Sequence, residues 1–288
     1  MPYIYLVISV FMNASSSVFG KFFGKDSENV KDASRLYNFV QLAVAFCVWL
    51  ILYAFNYTFS WSVLPYSILF AICFIVCNVG IINALNHGPM MLTSLLTSLS
   101  LIATTIWGFI FWNTEITPIV IIGLILVVIA IYLCLYTGKA EEKKISWKWL
   151  LFALMAFFGN AGCSIVQRTQ QIQFNGQHKY MLMTFAMLLS AIGCFVIYLF
   201  GDKTGHKSML KKTCAYPISA GACNVLLNLF VMLLATSVLS PSLIYPVIGV
   251  GGLMVVMLFS LFVFKEKLKW QQWLGIGIGA IATVLLSI

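Results

Sequence analysis

The sequence predicts an all-α membrane protein of about ten transmembrane helices, built as two inverted five-helix repeats. Three observations carry this. Of its 288 residues, 61% are hydrophobic and only 9% are charged, far from the balance of a soluble domain. The apolar stretches are each about 20 residues long, the length that crosses a hydrocarbon core about 30 Å thick at 1.5 Å rise per residue. An internal similarity links the first half of the chain to the second.

The apolar runs are continuous rather than alternating, which favours helices over a barrel, because a backbone in lipid must satisfy its own hydrogen bonds. They cover residues 2–23, 33–55, 64–85, 90–112, 117–137, 147–168, 179–200, 213–235, 241–264 and 270–287. The first run lacks a basic start and reads as a retained helix rather than a cleaved signal. The most polar break runs from Gly138 to Ser146 and holds Lys139, Glu141, Glu142, Lys143 and Lys144. It divides the spans five and five, which defines repeats over 1–140 and 141–288.

A formal charge of +9 on a folded surface would suggest nucleic acid. Here the 17 Lys and Arg residues fall in or beside predicted loops, where anionic headgroups and the positive-inside bias account for them without a nucleic-acid partner. Fifteen flank breaks on one face, and Arg168 and Lys179 alone lie on the other. By the positive-inside rule both termini lie opposite the cytoplasm. The eight cysteines sit in or at the edges of apolar segments, as packing residues rather than disulfide partners.

The repeat is visible without gaps where Phe11 to Lys21 aligns on Phe158 to Arg168, matching Phe, Asn13 with Asn160, Ala, Ser and the terminal base. Ala84 precedes Glu115 by the same interval as Ala235 precedes Glu266, and an aromatic-rich stretch leads to each Glu. An odd number of spans per half makes the second half enter the membrane from the opposite side. Two such halves related by an axis in the membrane plane enclose a site near the midplane, the architecture of alternating access.

These residues resemble the EamA-type transporters of the drug/metabolite transporter superfamily. The motifs that carry the resemblance are Phe111-Trp112-Asn113-Thr114-Glu115-Ile116-Thr117 with Gly123, and Phe262-Val263-Phe264-Lys265-Glu266-Lys267-Leu268 with Gly275. The resemblance implies a transporter whose substrate class ranges over amino acids, vitamins, nucleobases and nucleotide sugars. It also implies cytoplasmic termini, against the charge count, so the orientation stays open. The small multidrug branch uses a membrane-embedded Glu in its first helix. The first helices here offer Asn13 and Asn160 instead, which argues against proton-coupled export of lipophilic cations.

Polar side chains at helix centres are costly in lipid unless partnered or wetted, so they mark the candidate substrate-binding residues: Asn13, Asn78, Ser98, Asn160, Asn224 and Tyr245. Asn13 and Asn160 are equivalent and face each other across the pseudo-axis if they line one cavity. The other reading makes them helix-to-helix bonds. Asn224 and Asn228 are four apart, hence on one face. Ser94, Thr97 and Ser98 share a face of the fourth helix, although hydroxyls there also bond their own preceding carbonyls. Pro246 removes a backbone donor and Gly249 begins a Gly-rich stretch, making this the expected hinge. Glu115 and Glu266 read as interfacial anchors, and His87 as a loop residue. The Gly275, Gly277 and Gly279 series reads as a packing seam, not a nucleotide turn.

No paired carboxylates, metal-spaced His/Cys cluster or nucleophile–base pair appears, so no enzyme activity, metal or cofactor is expected. The expected function is secondary transport of a small neutral or zwitterionic metabolite by alternating access. A multidrug exporter of the same fold is the alternative, followed by a membrane enzyme or a non-transporting scaffold. The expected partners are a small-molecule substrate and the lipid bilayer of a multi-pass protein of the cell membrane. The apolar exterior suits a monomer and a homodimer alike.

Overall fold

The computed structural model describes residues 2–27, 30–87, 90–112, 116–134, 147–262 and 270–285. Each apolar run forms a helix: α1 (Pro2–Asp26), α2 (Ala33–Phe55), α3 (Leu64–His87), α4 (Met90–Phe111) and α5 (Pro118–Cys134) in the first half. The second half holds α6 (Trp147–Gln173), α7 (Lys179–Leu199), α8 (His206–Thr213), α9 (Ala215–Ala235), α10 (Pro241–Phe262) and α11 (Trp270–Leu285). A 3-10 turn at Trp61–Val63 leads into α3, and no strand occurs among the described residues. Among the described residues, six helices are long and apolar enough to cross a membrane: α1, α2, α3 with its leading turn, α6, α7 and α9. The other four long helices carry shorter described apolar runs, such as Pro118–Ala130 in α5 and Ser242–Val256 in α10.

The outer surface suits lipid. Ile51, Ile68, Ile72, Ile125 and Phe158 are exposed along helix sides, where hydrocarbon rather than water is the matching solvent. Trp61, Trp147 and Trp270, each at least 70% exposed, stand at helix starts, the headgroup-level position that suits an amphipathic ring. The seven described cysteines are free thiols.

Two boundaries depart from expectation. Helix α6 continues to Gln173, past the polar residues read as its end at 168. Those residues are not solvated: Gln167, Arg168, Gln170 and Gln171 are all buried. Arg168 is therefore not a loop residue, and Lys179 is left as the only base at that face among the two counted there. The second departure is α8, a basic eight-residue helix in the stretch read as a loop. Met209 packs with Phe23 and Leu36, and the buried His206 sets Nε2 2.7 Å from the Lys31 carbonyl.

The loop entering α8 supplies a pH test. The Thr204 hydroxyl donates to Asp202 Oδ1 at 2.6 Å and the Thr204 amide donates to it at 2.9 Å. These bonds hold the Asp202 carboxyl below its usual range. A depressed acid contributes stability present above its ordinary pKa and lost as pH falls through the lowered value. Exchange protection at the Thr204 amide is expected to be steady at neutral pH and to fall somewhere below about pH 4. Protection unchanged down to about pH 2 would remove the carboxylate from this role.

Packing joins the halves rather than filling each. The principal pairings are α1 with α9 and α10, α2 with α7 and α9, α3 with α6 and α7, α4 with α6 and α10, and α5 with α11. This set maps onto itself when α1, α2, α3, α4 and α5 are exchanged with α6, α7, α9, α10 and α11. The α3–α6 pair is the tightest by construction. A Cβ built on Gly80 would lie 2.5 Å from the Ala156 amide nitrogen, and one on Gly159 would lie 2.6 Å from that of Cys77. Trp49, Met181, Leu182, Met183 and Met187 form the core between α2 and α7.

Candidate functional site

The two equivalent asparagines occupy matching places. Asn160, partly buried near the middle of α6, donates from Nδ2 to Ser100 Oγ of α4 at 2.7 Å and approaches the Thr97 carbonyl at 3.4 Å. Asn13 of α1 lies against α10, where a Cβ on Gly252 would sit 2.7 Å from its Nδ2. Each asparagine thus meets the fourth long helix of the opposite half. The offset of 151 that relates Ala84 to Ala235 carries Ser100 to position 251, one residue from Gly252. The asparagines are therefore seated on separate helix pairs at equivalent register, and at Asn160 the contact is an interhelical hydrogen bond.

The most developed polar cluster lies in the last turns of α6. Gln167 Nε2 donates to Asn228 Oδ1 at 2.7 Å, and Asn228 Nδ2 donates to the Asn224 carbonyl at 2.8 Å and to Asn224 Oδ1 at 3.1 Å. One residue on, the Arg168 guanidinium neighbours the Tyr245 hydroxyl and lies over the Trp112 ring, 5.3 Å from its centroid. Tyr245 is itself buried, with its hydroxyl 3.5 Å from the Ser164 carbonyl. Arg168 Nε and Nη1 and Gln171 Oε1 are buried without a hydrogen-bond partner. Leu6, Leu239, Leu243 and Ile244 pack with Tyr245 and Trp112 into an apolar plug at this end of the bundle.

The predicted residues are thus divided. Asn224 and Tyr245 enter this cluster, Asn13 and Asn160 sit on α10 and α4, and Asn78 returns its amide to its own helix at the Phe74 carbonyl, 2.8 Å away. Pro246 and Gly249 are buried inside α10, which runs unbroken through them. The Ser98, His87, Glu115 and Glu266 side chains lie outside the described residues. Gly279 does pack, its Cβ position 2.9 Å from Val250 Cγ1, whereas Gly277 faces open space. Two clefts open at opposite ends of the α2–α7 pair. One, about 340 Å³, is lined by Arg35, Asn38, Asn83 and Phe200. The other, about 410 Å³, is lined by Asn56, Gln177, His178 and Lys179. Neither is lined by a predicted site residue.

Sequence reasoning missed Gln167, Arg168 and Gln171. The signal was the alignment of Arg168 with Lys21 inside the repeat, which placed a base on a helix rather than in a loop.

These features define an integral, multi-pass helical membrane protein with polar clusters between its helices. A crystal structure described only as "Crystal structure of protein" superposes with a TM-score of 0.76 over 99% of this chain and 95% of that chain, at 10% identity, which speaks to the fold alone. No curated protein matches the chain. Residues 1–136 match the model of the EamA-like transporter family. That match spans 136 of the 288 residues and makes this first stretch of the chain similar to the EamA-like transporters.

Proposed function

We propose that the protein is a secondary carrier of a small neutral or zwitterionic metabolite, working by alternating access between halves 1–140 and 141–288 in a cell membrane. The observation that carries this is the matched seating of Asn13 on α10 and Asn160 on α4. Polar groups at equivalent places on the contact surfaces between halves are what a pseudo-twofold carrier exchanges as it rocks. The self-mapping set of helix pairings supports the same reading. So does the start of the equivalent helices α2 and α7, each preceded by a left-handed residue, Asp32 (φ 53°) and His178 (φ 59°). The seal around Tyr245 closes one end, and Pro246 and Gly249 beside it are the hinge that releases it.

Counterflow of a pooled metabolite panel into proteoliposomes tests this. Asn160→Ala removes a bond of the size measured between membrane helices, about 0.6 kcal/mol, so the fold should persist. Saturable uptake by the intact protein is expected to fall at least about 10-fold in both Asn13→Ala and Asn160→Ala if each asparagine bonds the substrate as it crosses. Flux unchanged in both would reduce them to helix contacts. Uptake of several unrelated lipophilic cations instead would favour the drug exporter.

A further inference from the structure

We propose that Arg168 is the subsite for a carboxylate carried by the transported molecule, an inference that rests on the carrier reading above. Arg168 lies five residues before the end of α6, about 7.5 Å in along the axis. It is 8% exposed. Its surroundings are neutral: the Tyr245 hydroxyl, the Trp112 ring face and the apolar plug formed by Leu6, Leu243 and Ile244. No described acidic side chain forms an ion pair with it, and Nε and Nη1 meet no partner.

A charge removed from water without a counter-charge is strongly unfavourable, and membrane helices retain such residues where they face a pathway or a ligand. A ring face and a hydroxyl oxygen soften the charge without neutralising it. The missing element is one negative charge with acceptor oxygens. A single guanidinium matches a monocarboxylate, whereas a phosphate dianion would leave an excess negative charge in the same apolar shell.

A second unmet group narrows the ligand. Gln171 Oε1, three residues on and so on the same face of α6, is a buried acceptor without a donor. The unmatched donors of Arg168 and the unmatched acceptor of Gln171 within one turn describe a molecule with a carboxylate beside a hydrogen-bond donor. An ammonium next to the carboxylate fits both and keeps the molecule zwitterionic. Entry requires the plug to part, so the site belongs to the conformation open at this end and stays occluded when Tyr245 and Trp112 close over it.

The test uses the full chain in proteoliposomes with two pooled panels. One holds radiolabelled monocarboxylates bearing an amine, and the other their primary amide analogues. Expected are counterflow of the first panel only, and a loss of at least about 10-fold in Arg168→Gln at subsaturating substrate. Arg168→Lys should retain part of the flux. Ligand-free Arg168→Gln should melt at or above the wild-type temperature, because an unpaired buried charge has been removed. A merely structural arginine would not behave so.

Wild-type flux in a folded Arg168→Gln variant would overturn the subsite while leaving the carrier intact. Preference for the amide panel would do the same. If Arg168→Gln yields no folded protein, Tyr245→Phe decides: a raised KM for the carboxylates supports the site, and an unchanged KM overturns it. If neither panel moves, the carrier reading falls, and thermal unfolding with the monocarboxylate panel judges the site alone. A rise in melting temperature for wild type but not Arg168→Gln sustains it, and no rise overturns it.

Discussion

A leucine in place of Gly159 is expected to leave almost no folded protein. The Cβ alone would lie 2.6 Å from the Cys77 nitrogen and 2.7 Å from the Cys73 carbonyl oxygen, and both are backbone atoms of α3 that no side-chain rotation can move aside. Forcing extra atoms into a packed core costs about 1–3 kcal/mol even where side chains yield, and here two helices must separate along their whole contact. Against a typical total stability of about 5–15 kcal/mol, the larger loss is decisive. Gly80→Leu should behave alike, since its Cβ would meet the Ala156 nitrogen at 2.5 Å and the Phe152 oxygen at 2.8 Å. Gly277→Leu is the control, having nothing within 4 Å. Size-exclusion profiles of the detergent-extracted variants check this. A monodisperse Gly159→Leu peak at wild-type yield would mean that α3 and α6 do not approach as described.

Asn228→Leu is expected to destabilise the protein by about 1–3 kcal/mol, the cost of leaving a buried amide unmet. Gln167 would lose its oxygen acceptor, keeping only the weak Met183 Sδ contact at 3.5 Å, in a setting where it is only 3% exposed. The bond itself is worth less, since hydrogen bonds between membrane helices average about 0.6 kcal/mol. Most of the loss therefore comes from the stranded Gln167 rather than from the missing contact. Pairing Gln167→Met with Asn228→Leu removes both polar ends and should restore most of the stability. Reversible unfolding in mixed micelles measures both variants. A double variant no better than Asn228→Leu alone would show that the asparagine acts through other contacts.

The helices were legible because lipid imposes a length. Runs of apolar residues had to be about 20 residues long, and the ends of α2 and the start of α3 fall where that rule puts them. The rule failed where polarity did not mean water. Gln170 and Gln171 look like a loop to a hydropathy reading, yet with Gln167 and Arg168 they form the buried end of α6, where Asn228 receives Gln167 and the Trp112 ring faces Arg168. Partners on distant helices leave no local trace in sequence. Helix α8 escaped notice for a related reason: among its lysines, Met209 and Leu210 are too few to show a pattern, and Met209 is buried only because Phe23 and Leu36 lie beneath it. Asn13, Asn160, Asn224 and Tyr245 were recognisable as rare residues in apolar helices. Their assignment to three separate contacts was not, because register between helices is set by packing such as the Gly80 and Gly159 approach.

The pairing of helices across the halves has a consequence for synthesis. When the first five helices have left the ribosome, the surfaces that α1, α2 and α3 present to α9, α7 and α6 are still bare. That intermediate cannot mature until the residues from 147 onward arrive, so its persistence in the bilayer depends on lipid or on an insertion chaperone covering polar Asn13. A gene cut within the stretch 135–146 should still yield the protein when both pieces are made together, and either piece made alone should be degraded.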